Sequence, residues 1–268
     1  MKKRILSIVL AICLLFTLVP TIAFAETAGG TYTQIEGTSG AGGGEGPEKL
    51  IDGSIDTKWC VTDFKGAYIV FQTSTAVQVS GYSITTGNDN ATCTGRNPKN
   101  WTLYGCNDYT GSSTGSWTEI HRVKDDVLLQ DVNKTTYNYA FARTETAYQY
   151  FKLEITSTKG SDVMQMSEFS LTSCEHSLGD PVTTPATCTV DGNTKITCSK
   201  CNGSMVTRIP MAHEFTGEGG ACKHCSCTIE ELRAGYLDEN GVLRPQATGT
   251  TAISSSSTNW GSTGNKSW

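Results

Sequence analysis

Apolar residues in this chain recur at every second position. Phe151, Leu153 and Ile155 alternate with Lys152 and Glu154, and Trp101, Leu103 and Gly105 alternate with Thr102 and Tyr104. Val77, Val79 and Gly81 alternate in the same way with Gln78 and Ser80. Successive side chains of an extended strand point to opposite faces, so each set predicts a strand with one dry and one wet face. Trp59, Trp117, Phe169 and Leu171 supply further bulk for an interior. The runs are short and are broken by "TGNDN", "YTGSSTGS" and "STKGSD", all rich in turn formers. The pattern predicts an all-β chain built as an antiparallel sandwich.

One apolar run has another origin. Ile5 to Val19 follows the basic Lys2, Lys3 and Arg4 and leads to Pro20 and the small-residue site Ala23-Phe24-Ala25. That order reads as a secretory signal peptide over residues 1–25, cleaved before Glu26. An uncleaved anchor is the alternative, but the run is short for a bilayer span and ends in a cleavage signature. Cleavage leaves 18 basic residues against 26 acidic ones, a formal charge of −8. Such a charge argues against nucleic acid and anionic membrane as partners. No other apolar run can span a bilayer. The protein is therefore expected to be secreted, extracellular and open to attachment at a cell surface.

Roughly 240 mature residues allow one full domain and smaller pieces. Residues 26–41 lead into the Gly-rich "TSGAGGGEGPEK", read as a flexible linker because it opens no helix. Residues 229–268 end within the Gly/Ser/Thr-rich "NWGSTGNKSW" and are read as the start of a further domain, or a tail.

The stretch from Lys49 to Trp59 sets a carboxylate, a turn glycine, hydroxyls and a tryptophan within a few residues. Gly53 permits a sharp reversal, and the turn can aim backbone carbonyls inward beside Asp52 and Thr57. Several oxygens converging in this way suit a hard cation such as Ca²⁺, although Asp-Gly is also an ordinary turn dipeptide.

The context around that turn extends the reading. "KLIDGSIDTKW", "AYIVFQTSTAVQVSGYSITTG", "GRNPKNWTLYGCND", "SWTEI" and "YQYFKLEITST…MQMSEFSLTS" follow one another through residues 42–173. In that order they resemble the discoidin, or F5/8 type C, domain, also known as the family 32 carbohydrate-binding module. The resemblance implies a galactose-binding-domain-like jelly roll with one structural Ca²⁺. Its ligands would be Lys49 and Ser54 through carbonyls, Asp52 through its carboxylate, and Thr57 through its hydroxyl and carbonyl. Ser167 would add a carbonyl and Glu168 a carboxylate.

Binding in such a sandwich sits on loops at one end. Candidate glycan contacts are Asn88, Asp89 and Asn90 with Arg96, and Lys159 and Asp162 in a later loop. Amides, carboxylates and guanidinium groups bond sugar hydroxyls. The same residue types also hold turns, and Arg96 in "GRNPKNW" can simply pin a loop. The chain departs from galactose-binding members of the family at three places. Cys60 stands where they have histidine, Asn88 lies near their basic residue, and "KGSDVMQM" lacks their aromatic.

Beyond the signal peptide ten cysteines remain, seven of them between Cys174 and Cys227. The order is Cys174-x-His176, Cys188, Cys198-x-x-Cys201, His213 and Cys222-x-x-Cys225. Two C-x-x-C turns together with Cys174, Cys188 and the two histidines supply eight ligands, enough for two tetrahedral Zn²⁺ sites. The expected split joins Cys174 and His176 with Cys198 and Cys201, and Cys188 with His213, Cys222 and Cys225. Residues 174–228 resemble small Cys/His repeats found between modules of secreted bacterial surface proteins. Disulfides are the competing reading for a secreted segment with little core. His224 and Cys227 are left over, Cys60, Cys93 and Cys106 are read as buried thiols, and a Cys60–Cys93 bridge is an alternative.

No catalytic residue emerges. G-x-S-x-G, Walker and H-E-x-x-H patterns are all missing, and His121 on a strand is read as structural. Sequons at Asn90, Asn133, Asn202 and Asn265 matter only in a host that glycosylates. The leading expectation is a non-catalytic, carbohydrate-binding module of a multidomain extracellular protein. The alternatives are a fragment of a glycoside hydrolase whose catalytic domain lies further on, and an adhesin for host protein.

Overall fold

The computed structural model describes residues 28–213, with 221, 222, 225, 236, 237, 243 and 244. The signal peptide, His224, Cys227 and the Asn265 sequon lie outside the described residues. The chain divides into two units, Met1–Val182 with Lys195–Val206, and Thr183–Thr194 with Thr207–Trp268.

The first unit is an antiparallel β-sandwich with jelly-roll architecture. One sheet has the order β1 (Tyr32–Gly37), β3 (Ala67–Val77), β8 (Tyr148–Thr158), β5 (Pro98–Cys106), β6 (Thr118–Val123). The facing sheet runs β10 (Glu168–Thr172), β4 (Gly81–Thr85), β7 (Thr136–Ala140). Beyond β7 comes β13 (Ser204–Ile209), parallel to it through Ser204 beside Tyr139, and then β12 (Gly192–Thr197). A short ladder joins β2 (Trp59–Val61) to β9 (Met164–Met166).

Alternation and register build the core together. Trp101, Ile155 and Ala67 lie side by side across β5, β8 and β3, and the next inward row is Leu103, Leu153 and Ile69. All six are almost fully buried, and the four leucine and isoleucine side chains contribute about 1.5–3 kcal/mol each. Gly105 stands opposite Phe151, and its missing side chain leaves room for the Tyr148 ring, 2.5 Å from where a Cβ would sit. Tyr82 of the other sheet stacks on Tyr139 and on Phe169, each at 5.2 Å between centroids. The Trp101 indole N–H donates to the Tyr82 hydroxyl at 2.7 Å, so the two sheets share a polar link inside an apolar layer.

Three expectations need correction. Val77 to Gly81 is not one strand: β3 ends at Val77 and β4 begins at Gly81, with buried Val79 and Ser80 in the connection. Trp117 is not in the core. Its N–H donates to the Ser113 carbonyl at 2.7 Å, and its ring lies 5.3 Å from the Lys152 ammonium on the outward side of β8. Bulk alone could not separate the two faces. The linker 26–41 contains β1, held to β3 from Tyr32↔Thr73 to Gly37↔Ile69 around a bulge. Its Tyr32 hydroxyl donates to the Ala28 carbonyl and accepts from the Leu171 amide, both at 2.9 Å.

In the second unit Asp191 anchors the chain. Arg208 Nε and Nη2 reach its carboxylate at 2.6 and 3.0 Å, and the Met211 amide donates to it at 2.7 Å. The two-residue strands β14 (Tyr236–Leu237) and β15 (Leu243–Arg244) pair antiparallel. The strand β11 (Val182–Thr184) lies beside β12 in the six-stranded order, and one short 3-10 helix spans Pro47–Ile51.

Candidate functional site

The β2–β9 ladder sets Cys60 opposite Gln165. Gln165 is fully buried, and every polar group of its amide is used. Its Nε2 donates to Asp89 Oδ1 at 2.8 Å and to Asn90 Oδ1 at 3.0 Å, while its Oε1 accepts from Arg96 Nη1 at 3.3 Å. Lys58 closes the ring, its Nζ 2.8 Å from Asp89 Oδ2 and 3.7 Å from Glu45 Oε1. Arg96 Nη1 lies 3.9 Å from the same Asp89 oxygen.

The electrostatics follow from these contacts. Partial burial would raise the Asp89 carboxyl, but hydrogen bonds from Lys58 and Gln165 and the nearby Arg96 charge hold it below the usual carboxylate range. The Cys60 thiol is pushed up by burial and by Glu45, against the pull of Lys58 and Arg96. Asp89 is thus a fixed anion beside a guanidinium, both open to solvent on one side.

Backbone bonds draw the surrounding loops to this end. The Phe64 amide donates to the Asp162 carbonyl at 2.7 Å, Ser161 N to Gly95 O at 3.3 Å, and Gln165 N to Arg96 O at 3.1 Å. Among the sequence candidates, Asn88 and Asp162 are exposed, and Asp89 and Arg96 half-exposed. Asn90 is fully buried and donates to Asn97 Oδ1 at 2.9 Å, so it holds the loop. Lys159 points elsewhere, with Nζ 3.0 Å from Asp126 Oδ2 and 2.5 Å from the Leu129 carbonyl. Sequence reasoning missed Lys58, Gln165 and Glu45. A polar residue between two methionines in "MQM" was the available signal, since alternation would have placed it opposite a buried face.

A second cluster gathers oxygens at the opening turn. Gly53 has φ of 79°, a left-handed conformation suited to glycine. The Ser54 amide donates to both Asp52 Oδ1 at 3.0 Å and Glu168 Oε1 at 2.9 Å. Thr57 Oγ1 lies 2.9 Å from each Asp52 carboxylate oxygen and donates to the Ser54 carbonyl at 3.0 Å. Lys49 Nζ is 3.5 Å from Asp52 Oδ2. Burial, with Asp52 as neighbour, pushes the Glu168 carboxyl up to about 7, against the Ser54 and Gly53 amides. Ser167 is fully buried, and its hydroxyl has no hydrogen-bond partner among the described residues. Two adjoining carboxylates, one held partly neutral, together with hydroxyls and a carbonyl are a donor set that fits a hard cation.

The cysteines and histidines fall into two four-residue groups that could each hold a metal ion, Cys174, His176, Cys198 and Cys201, and Cys188, His213, Cys222 and Cys225. Within each group the ligand atoms lie within 4.8 Å of one another. His Nδ1 stands 3.5 Å from a cysteine sulfur in both, Cys201 in the first and Cys225 in the second. Cys174 and Cys198 sulfurs are 4.0 Å apart, and Cys188 and Cys222 sulfurs 3.3 Å. A zinc tetrahedron has ligand–ligand edges of roughly 3.5–3.8 Å. Burial raises Cys198, but amides of Cys201, Ser177 and Lys200 and the His176 ring overcome it and bring the thiol down to about 6. Cys60 and Cys93 are both free thiols, so no bridge joins them.

His121 takes no part in any of these clusters. Its Nδ1 meets the Tyr82 hydroxyl at 2.9 Å and its ring stacks on Phe141 at 4.8 Å. Burial brings it down to about 4, against a smaller opposing pull from Glu119.

Among known proteins, the sequence model of the F5/8 type C domain matches residues 33–169. No curated protein sequence matches the chain. Similar solved structures include the family 32 carbohydrate-binding module of NanJ from Clostridium perfringens in complex with galactose. It is 19% identical, with 54% of this chain and 97% of that chain covered and a TM-score of 0.41. The family 32 module of Streptococcus pneumoniae EndoD is 18% identical, covering 56% of this chain and 100% of that one, at a TM-score of 0.42. No helix among the described residues is long and apolar enough to cross a membrane.

Proposed function

The chain belongs to the F5/8 type C domain family, and on that basis we propose that residues 42–173 act as a non-catalytic glycan-binding module of a secreted, multidomain protein. The observation that carries the reading is the Asp89–Arg96 pair, held by buried Gln165 and Lys58 at the meeting point of several loops. A carboxylate and a guanidinium fixed before the ligand arrives can bond adjacent sugar hydroxyls without first losing side-chain freedom. Asn88, Asp89, Arg96 and Asp162 face the sugar in this reading, with Glu45 beside them. Asn90 and Lys159 hold the loops.

Ca²⁺ would be held by Asp52 and Glu168 with oxygens of Lys49, Ser54, Thr57 and Ser167, and would neutralise the two adjoining carboxylates. The two Cys₃His groups would each take one structural Zn²⁺. Spacing and ligand distances support this, and thiolate and imidazole are the donors zinc prefers.

The test is a glycan array probed with the mature chain, with Asp89→Ala and Arg96→Ala as comparisons. Binding to a defined set of glycans, lost in both folded variants, is the expected result. A folded protein that binds no glycan but captures a host protein would overturn the reading.

A further inference from the structure

We propose that Cys174, His176, Cys198 and Cys201 form a metal lock on the sandwich, so that metal at this group sets the stability of the β4–β7 sheet. The lock rests on the zinc reading for its metal and goes beyond it in making that metal part of the sandwich core, not of a separate spacer.

Ser80 is the node. It is fully buried immediately before β4, and its amide donates to the Thr172 carbonyl of β10 at 2.9 Å. Its hydroxyl accepts from the Cys174 amide at 2.7 Å and donates to the Cys174 carbonyl at 2.9 Å. Its carbonyl accepts from the Phe141 amide at 2.9 Å and meets His176 Nε2 at 2.8 Å. A carbonyl only accepts, so Nε2 carries the proton and Nδ1 keeps its lone pair toward Cys201 Sγ at 3.5 Å. The sandwich backbone therefore selects the tautomer that can ligate a metal, the role outer partners play for metal-bound histidines.

The other two ligands are seated on the same sheet. Cys198 and Cys201 bracket the turn into β13, with Cys198 N bonded to Gly203 O at 2.8 Å and Asn202 N to Cys198 O at 2.9 Å. Gly203 lies against β7, where an added Cβ would come within 3.1 Å of the Ala140 Cβ. Ser204 then pairs with Tyr139. A metal joining these four side chains ties the end of β10 to the β13 turn, and both to the buried Ser80 and β7. Metal bound only by the folded form adds stability by mass action, and it does so here across segments that are distant in the chain.

Geometry also says what the lock leaves alone. Ser80 precedes β4 and Asp89 follows it, and a five-residue strand is about 17 Å long. Metal at this group is thus expected to change stability and to leave the glycan end untouched.

The experiment uses the mature chain with reductant, measuring Zn²⁺ content and thermal unfolding by near-UV circular dichroism, which reports the buried Trp59 and Trp101. Wild type should hold about two equivalents. Cys201→Ser should hold one and melt about 5 °C or more below wild type. Cys222→Ser, whose ligand set belongs to the second unit, should also hold one, with the tryptophan signal melting as in wild type. His176→Cys keeps four thiolates but loses the bond to the Ser80 carbonyl. It should retain two equivalents and melt between wild type and Cys201→Ser. If Cys201→Ser does not fold, the same order is read by titrating wild type with chelator: the tryptophan signal should collapse with release of one specific equivalent. Two equivalents in wild type and one in Cys201→Ser, with superimposable melts, would overturn the lock and leave the zinc reading standing. A protein that takes up no zinc would overturn both.

Discussion

Glu168 Oε1 accepts a hydrogen bond from the Ser54 amide at 2.9 Å, joining positions 114 residues apart in the chain. The start of β10 and the opening turn are thereby held at one point, with Asp52 as the third member. Two carboxylates that meet without a cation repel, and the turn must absorb that repulsion or be neutralised.

The first prediction concerns that turn. Added Ca²⁺ should raise the melting temperature of metal-stripped protein in a saturable way, and Asp52→Asn or Glu168→Gln should abolish the rise. Calorimetry on protein treated with a chelator and then dialysed measures it. A melt indifferent to Ca²⁺ in protein confirmed free of metal would remove calcium from the account.

A second prediction follows from His121. Its folded form is held at about 4 by burial, against an ordinary 6.5, so the unfolded chain takes up the proton first as pH falls. The sign is that of a depressed group: its stability is full above 6.5 and is lost progressively as pH falls through 4. His121→Gln keeps a hydrogen-bonding amide beside the Tyr82 hydroxyl but does not titrate. Melting temperature against pH should be flatter in the variant over that window. Parallel curves would assign the acid sensitivity to other groups.

Gln165 tests the rigidity of the glycan end. Gln165→Leu preserves bulk but leaves Asp89, Asn90 and Arg96 each short of a partner, a cost of about 1–3 kcal/mol. The folded variant should lose glycan affinity although its side chain never reaches solvent. Unchanged binding would mean that the Asp89–Arg96 arrangement does not depend on its buried support.

Gly81 makes a sharper packing test. An added Cβ would collide with the Tyr139 carbonyl oxygen, a backbone atom that cannot turn aside. Gly81→Ala should therefore cost about 1–3 kcal/mol, seen as an earlier midpoint in urea at unchanged slope. A neutral substitution would show that β4 and β7 can part locally at little cost.

Much of this fold was legible in the chain. The Phe151-Leu153-Ile155 alternation marks β8, because a two-residue period is a local property of the backbone. The Cys/His pattern anticipates the two groups of side chains that the fold brings together, because a C-x-x-C turn constrains its own sulfurs, whereas the other four members join through the fold. Trp117 was misassigned because bulk predicts burial without saying on which face. Lys58 and Gln165 were missed because their partners, Asp89 and Arg96, are distant in sequence. The attachment of β13 to β7 through Ser204 and Tyr139 is likewise non-local, and no short motif announces it.

Asn90 has a consequence for how the protein can be made. Asn90-Ala91-Thr92 is an acceptor for N-glycosylation, yet the Asn90 amide is sealed between Gln165 and Asn97. An oligosaccharide attached there during synthesis would occupy the space those two residues need, and the loop bearing Asp89 would not close. Asn133 and Asn202 are exposed and carry no such conflict. Material from a eukaryotic secretory pathway is thus expected to emerge misfolded unless Thr92 is first replaced by a residue that cannot complete the acceptor, whereas a bacterial host needs no such change.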